Sequence, residues 1–432
     1  MTVRIGIMAE HKAGEGRIPL TPAQIQELHQ NHPDLQITVS PSNQRAFDDD
    51  EFTSLGIRTS GDLSEDNLVV AVKEIKTEDI RGGQSYLYFS HTIKGQEYNM
   101  PMLQHILDVG ATLLDYELIS DARDRRLVFF GRHAGLAGMV NSLWSYGQRM
   151  QVLGEETPFL KIKQAMNYKD LADIRNSISG LGDEIASWMQ GRPALVIGIT
   201  GYGNVSGGAQ EIIDLLPLTE ISAFELLNSD LSAFGGQIVK VVFKEADMFE
   251  PIDDAKPFDL QDYFTNPGEY RSRFNPYLEK MDLLVNCIYW TTDCPRLITL
   301  EEIKQHYSGD PNLLVVGDIT CDIDGSIQFN VGATPSSDPV YVYDVNAGKE
   351  ISGFEGRGPL VMAVDNLPAE LPREASEAFG TALRPFVYAM GACDYSQDYE
   401  SLDLPPEVKK AVIAHKGLLT PRFEYLADSL NV

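Results

Sequence analysis

Cysteine is scarce in this chain: four residues in 432, at Cys287, Cys294, Cys321 and Cys393. No two of them form a CxxC pair and few histidines lie near them, which argues against a zinc site and for free buried thiols in a reducing compartment. A long apolar run is also missing. None approaches the roughly 20 residues that a membrane-spanning helix needs. The opening residues, Met1-Thr2-Val3-Arg4-Ile5-Gly6-Ile7-Met8, lack the apolar stretch and cleavage site of a signal peptide and read as a first strand, which predicts a cytoplasmic protein. Positive charge is short as well, with 35 Lys+Arg against 63 Asp+Glu and a formal net charge of −28. Such a surface repels phosphate backbones and anionic lipid, so nucleic acid and membrane are disfavoured as partners. An anionic substrate would need its own local cluster of cations.

What is present is an ordinary globular composition, 43% hydrophobic. At this length one core is too few, and two domains are expected. Short apolar runs alternate with helical patterns from end to end, the signature of an α/β fold with mostly parallel sheets. Strands are expected at 4–9, 35–40, 68–73, 85–91, 111–116 and 127–130. Thr21-Pro22 should open a helix, with threonine as N-cap and proline at the first helical position. A helix over 135–150 follows the turn Gly131-Arg132-His133-Ala134-Gly135, and 151–190 is mixed and mostly helical. A second α/β unit starts at Pro193, with a strand at 194–200, a glycine turn, a helix at 207–216 and a strand at 220–226. Later strands are expected at 237–243, 281–289, 312–319 and 339–344, around an acidic, aromatic insertion at 245–280. The apolar run 360–365 precedes a long helix near Pro372 that could return the chain to the first domain.

The most informative local pattern is Thr200-Gly201-Tyr202-Gly203-Asn204-Val205-Ser206-Gly207. A continuous apolar strand runs into it, as expected of a strand covered on both faces, and a helix follows. Glycines there permit a tight turn and let backbone N–H groups approach a pyrophosphate at the helix N-terminus. The spacing departs from strict GxGxxG, so strand and helix context carry the dinucleotide reading. Glu225, at the end of the next expected strand, lies about twenty residues on, where an acid would accept the ribose hydroxyls of NAD and disfavour NADP.

Ligands of open α/β sheets bind beyond the carboxyl ends of the strands. In the first domain those ends carry His11-Lys12-Ala13-Gly14-Glu15-Gly16-Arg17, then Lys73, His91 and Glu117, with Arg125 and Arg126 close by. Singly, a lysine or histidine at a strand end is more often a solvated or capping residue than a catalytic one. Together, in so acidic a chain, they suit the binding of carboxylates and proton transfer near neutral pH.

The motifs also carry a family resemblance. Glu15-Gly16-Arg17-Ile18-Pro19-Leu20-Thr21-Pro22 resembles the opening of the alanine dehydrogenase and transhydrogenase superfamily. Phe89-Ser90-His91-Thr92-Ile93-Lys94-Gly95-Gln96, Phe130-Gly131-Arg132-His133-Ala134-Gly135, the glycine turn, Asn286-Cys287-Ile288-Tyr289-Trp290 and Asp365-Asn366-Leu367-Pro368-Ala369-Glu370 are similar to the lysine–ketoglutarate reductase domain of bifunctional aminoadipic semialdehyde synthases. They are less closely similar to the NAD-dependent, lysine-forming saccharopine dehydrogenases.

That resemblance implies two Rossmann-like domains with parallel sheets flanking a cleft, alanine dehydrogenase-like: a substrate domain over 1–135 and 370–432, and a dinucleotide-binding domain over 136–369. It implies interconversion of saccharopine with lysine and 2-oxoglutarate by hydride transfer to or from NADPH or NAD, in a monomer or small homo-oligomer with no metal. Lys73 and His91 match the family's acid–base pair. Arg17 and Arg126 match the arginines that hold carboxylates, and Lys12 and Glu117 match residues that tune the pair. Lys94 and Gln96 match substrate contacts. Gly201, Gly203, Asn204, Val205 and Glu225 fall to the cofactor, and Asp365 matches an acid near the nicotinamide or caps the last long helix. His133 reads equally as a hinge contact or a catalytic group. The reductase branch favours NADPH where Glu225 favours NAD. The end at Val432 implies a free-standing reductase. An alanine dehydrogenase-like enzyme, an opine-type imine reductase and a catalytically silent nucleotide-binding protein are the alternatives.

Overall fold

The computed structural model describes residues 2–430 and divides into two compact units, Met1–Phe130 with Pro372–Val432, and Gly131–Leu371. The sequence had placed these breaks at 135/136 and 369/370.

In the first unit, strands β1 (Val3–Ile7), β2 (Leu35–Val39), β3 (Arg58–Thr59), β4 (Leu68–Val70), β5 (Ser85–Tyr88) and β6 (Thr112–Asp115) are all parallel and lie in the order β3-β2-β1-β4-β5-β6. Two C-terminal strands, Val412–His415 and Leu418–Leu419, extend the sheet antiparallel beyond β6. Alternate side chains feed different cores, as strand geometry requires. Leu68 and Val70 pack with Ile5, Ile37, Phe379 and Leu383, whereas Val69 packs with Tyr86, Leu103 and Ile106 on the other face. The helix Pro22–Asn31 starts as expected: the Thr21 hydroxyl accepts the Gln24 N–H, and the Gln24 side chain returns to the Thr21 N–H in a capping box. The long helix Pro372–Ala392 brings the chain back into this unit, where Ser376 Oγ accepts the Ile18 N–H.

The second unit holds β7 (Leu195–Thr200), β8 (Leu218–Ile221), β9 (Ile238–Phe243), a separate hairpin of β10 (Phe249–Pro251) and β11 (Tyr270–Ser272), then β12 (Leu283–Asn286), β13 (Val315–Asp318), β14 (Val340–Asp344), β15 (Lys349–Ser352) and β16 (Leu360–Met362). The main sheet runs β15-β14-β16-β13-β12-β7-β9-β8. All pairs are parallel except the two that β14 makes, with β16 and with β15, so β14 alone runs against the others. The expected insertion is the β10–β11 hairpin with its short helices, packed through Phe249, Tyr263 and Tyr270.

Three local expectations are corrected. Residues 127–130 form no strand: Ser120 bridges Arg126 around a turn, and the Arg126 guanidinium holds the Val128 carbonyl. Gly131–Gly135 is not a turn but the first part of the helix Gly131–Val152. Residues 222–226 leave β8 for the helix Ala223–Asn228, because Ser222 and Glu225 form a capping box that ends the strand at Ile221.

Glycine has a steric purpose where the helices Gly131–Val152 and Asn204–Ile213 cross. A Cβ on Gly135 would stand 1.9 Å from the Val205 carbonyl oxygen, and one on Gly208 would stand 2.0 Å from that of Arg132. Next to it, a Cβ on Gly207 would meet nothing. Gly208→Ala should therefore destabilise the protein by about 1–3 kcal/mol through overpacking. Gly207→Ala should be neutral or stabilise by up to about 1 kcal/mol through helix propensity. Urea unfolding of the two variants checks this, and equal midpoints would contradict the crossing.

Candidate active site

Strand order reverses between β1 and β4 in the first unit, so the crossovers leave a crevice at their carboxyl ends. The segments leaving β1, β4, β5 and β6 carry Lys12 and Arg17, Lys73, His91, and Glu117 respectively. The Met8 N–H donates to the Val70 carbonyl (2.9 Å), which joins the tips of β1 and β4.

His91 stands in the left-handed region with φ 50°, a costly conformation for a residue with a Cβ. Its Nδ1 lies 2.5 Å from Glu74 Oε1. A carboxylate at Nδ1 keeps the proton there and leaves Nε2 as the nitrogen free for proton exchange. Glu74 also interacts with the charge of Lys73, so it links His91 and Lys73 in one cluster. Burial, then the Arg17 and Lys12 charges, hold the Lys73 ammonium below the ordinary lysine value, while Glu15 and Glu74 oppose them. Burial pushes the Glu74 carboxyl up, but the His91 hydrogen bond and charge, with Lys73, outweigh it and hold Glu74 below its ordinary value.

The cations are more closely paired with acids than the sequence suggested. Arg17 is 3% exposed, and its Nε and Nη2 donate to the two oxygens of Glu15 at 2.7 and 2.5 Å, with the guanidinium 4.1 Å above the Phe130 ring. Arg126 donates to Glu117 at 3.4 Å and covers Phe89, and burial lowers its proton affinity. The Glu10 carboxylate accepts the Val72 and Lys73 N–H groups at 2.6 and 3.0 Å, and burial pushes it up to about 7. Behind β5, the buried Asp115 accepts the Ser90 N–H and hydroxyl and the Glu117 N–H, fixing the chain on either side of the cluster. Glu10, Glu15, Glu74 and Asp115 are what residue-by-residue reading missed. The signal available was their placement one to three residues from a predicted cation or strand end. Lys12, Lys94 and Gln96 lie on exposed loops, Gln96 accepting the Tyr98 hydroxyl at 3.3 Å.

In the second unit the order reverses between β7 and β12. Gly201 leaves β7 with φ 77°, and its N–H donates to the Phe243 carbonyl (2.9 Å). Its α-carbon packs against Cys287 and Ile288 beyond β12, where a Cβ would come within 3.4 Å of Ile288. Gly203 is the N-cap of the helix Asn204–Ile213 and supplies no capping side chain; among the described residues, nothing beyond its own stretch of chain lies within 4 Å of where its Cβ would be. Asn204 is exposed and Val205 half-buried. The strand tips are tied by a buried network that sequence reading also missed: Thr200 to Asn286 (2.8 Å), Asn286 to Asp318 (2.9 Å) and Asn330 to Asp318 (2.7 Å).

Two expected roles change. Glu225 is not at a strand end. It is exposed on the helix after β8, where its carboxylate accepts the Ser222 N–H and hydroxyl at 2.8 and 2.7 Å. Asp365 follows β16 and is not the cap of the Pro372–Ala392 helix, which begins seven residues later, after the short turn Leu367–Glu370. His133 is buried within the helix Gly131–Val152.

Residues 6–137 match the model of the alanine dehydrogenase/PNT N-terminal domain. The chain is 37% identical over 98% of its length to alpha-aminoadipic semialdehyde synthase of Arabidopsis thaliana, and 34% identical over 96% to the mitochondrial enzyme of that name in Mus musculus. It spans 41% and 46% of those two proteins. It is 27% identical, over 90% of itself and 93% of the relative, to the saccharopine dehydrogenase [NAD(+), L-lysine-forming] of Schizosaccharomyces pombe. The chain belongs to the alanine dehydrogenase/transhydrogenase superfamily. A solved L-alanine dehydrogenase shares its fold, with a TM-score of 0.58 over 99% of both chains at 16% identity. The expectation of a cytoplasmic protein is overturned by these relatives, since those of mouse, rat and cattle are mitochondrial by name. Among the described residues no helix is long and apolar enough to cross a membrane.

The depressed Glu74 carboxyl makes a prediction about stability. Its interaction stabilises the fold fully above the ordinary value of 4.5 and is lost as pH falls through the lower folded-state value. Urea midpoints of the wild type should exceed those of Glu74→Gln at pH 6, with the gap closing progressively below pH 4.5. A gap that is constant down to the acid limit would deny the ionic contribution.

Proposed function

We propose that this superfamily member interconverts saccharopine with L-lysine and 2-oxoglutarate, using NADPH or NAD. The observation that carries the reading is the cluster of Lys73 with the hydrogen-bonded Glu74–His91 pair at the strand-order reversal of the first unit. One relative, that of Schizosaccharomyces pombe, is by name a saccharopine dehydrogenase that uses NAD(+) and forms L-lysine.

A nicotinamide dinucleotide fits the second unit on its own geometry. Gly201 makes the tight turn, the open space at Gly203 admits a phosphate to the backbone, and the N-terminal N–H groups at Asn204 and Val205 have no side-chain cap to compete with it. When bound, that cofactor gives or takes the hydride at the substrate carbon. Asp365 is the acid we assign near its nicotinamide end.

The remaining work falls to the first unit. A lysine held below its ordinary proton affinity spends more time as a neutral base at neutral pH, so Lys73 can take the proton that frees the substrate amine for attack on the keto carbon. His91, fixed through Nδ1 by Glu74, can protonate the departing hydroxyl from Nε2 as the imine forms, and can take that proton back in the reverse direction. Arg126, Arg17 and Lys12 supply positive charge for carboxylates, with Lys94 and Gln96 as further contacts. The interleaved Glu15, Glu74 and Glu117 keep the site from being purely cationic, which suits a substrate that carries ammonium as well as carboxylate groups.

Purified protein mixed with lysine, 2-oxoglutarate and each reduced cofactor should oxidise the cofactor only when lysine is present. No lysine-dependent oxidation, and no reduction of NAD or NADP by saccharopine, would overturn the reading and leave an alanine dehydrogenase-like or other imine reductase. Lys73→Met and His91→Gln should each lower kcat by about 10²–10⁴-fold with cofactor affinity unchanged. Parallel loss of cofactor affinity would assign these residues to the fold instead.

A further inference from the structure

The second unit departs from simple dinucleotide-fold topology in one respect that bears on cofactor choice. The strand that follows β7 in sequence, β8, lies at the sheet edge, and β9 is inserted between them. β9 pairs with β7 along its whole length, from Leu195↔Ile238 to Thr200↔Phe243. Neighbouring strands are about 4.8 Å apart, so the end of β8 is displaced by roughly 10 Å from the glycine turn and the end of β9 by half that. The acid that reads an adenosine ribose stands at the carboxyl end of the strand flanking the first one. By position in space that strand is β9, and the residues leaving it are Lys244 and Glu245.

Local contacts agree. The Gly201 N–H to Phe243 carbonyl bond (2.9 Å) fixes the exit of β9 against the glycine turn. The Glu245 carboxylate faces the Tyr202 phenol, whose proton it helps retain after burial. Glu225, by contrast, is spent on Ser222.

We propose that Glu245 is the specificity-determining residue for the cofactor: its carboxylate accepts the ribose hydroxyls of NAD and repels the 2′-phosphate of NADP, with Lys244 beside it moderating the repulsion. This assignment rests on the dinucleotide reading of the turn but not on the substrate, so binding can test it without turnover. Equilibrium titrations of NADH and NADPH, followed by nicotinamide fluorescence, give a ratio of dissociation constants for each variant. Glu245→Gln should shift that ratio toward NADPH by about tenfold or more, since a like charge a few ångströms away is removed. Lys244→Met should shift it toward NADH, and Glu225→Gln should leave it as in the wild type. A ratio unmoved by Glu245→Gln, or moved by Glu225→Gln, overturns the assignment alone. A wild-type chain that binds neither cofactor overturns the dinucleotide reading beneath it.

Discussion

The constraint on which everything else rests is the reversal of strand order in each parallel sheet. A strand followed by a right-handed crossover must deposit its neighbour on one side or the other, and where the direction switches the helices diverge from the carboxyl ends. In the first unit this happens between β1 and β4, and in the second between β7 and β12. Residues far apart in sequence, such as Arg17, Lys73 and His91, are gathered because their strands end at the same edge. No residue among them would be placed by its local sequence.

Electrostatics then decides what such an edge can do. A cluster of cations brought together by topology would repel itself and lose its charge or its fold. Here buried Glu15 satisfies buried Arg17, and breaking such a pair by removing one partner costs on the order of 3–5 kcal/mol because the other charge is left uncompensated. Glu74 does the same for His91 at partial exposure. Among the described residues Lys73 has no bidentate partner of this kind, and its charge is disfavoured by burial and by neighbouring cations. The distribution of acids thus separates residues that hold charge from one suited to exchanging it.

Much of this was legible in the sequence, and the failures have physical causes. Most strands of both sheets were recognisable from apolar runs, and Thr21-Pro22 from helix-start chemistry. The short or exposed Arg58–Thr59, Lys349–Ser352 and Leu418–Leu419 and the C-terminal Val412–His415 were not expected. The glycine turn was placed correctly between a strand and a helix, although Gly207 and Gly208 turned out to lie inside that helix, where Gly208 serves a helix crossing. Glu225 failed for a local and a global reason. Ser222-Ala223-Phe224-Glu225 is a capping box, whose signature was present but was read as strand, and nothing in the sequence says that β9 would pass between β8 and β7. Glu10, Glu15 and Glu74 were overlooked because an acidic chain offers many carboxylates, and burial, which singles these out, is a property of the folded chain.

The same acidity bears on how a substrate reaches the site. A formal charge of −28 opposes the approach of any polycarboxylate, but at physiological ionic strength that field is screened beyond about 8 Å. What the incoming molecule meets within that distance is the local arrangement: exposed Lys12 and Lys94 on the loops, then the half-buried Arg126 and Lys73 behind them. Lysines at the rim can attract without fixing geometry, whereas arginines held by carboxylates and stacked on Phe89 and Phe130 are already oriented. The paired acids therefore have two consequences at once. They lower the net attraction of the inner site, and they fix in advance the donors that a carboxylate would have to meet, so that less ordering remains for binding to accomplish.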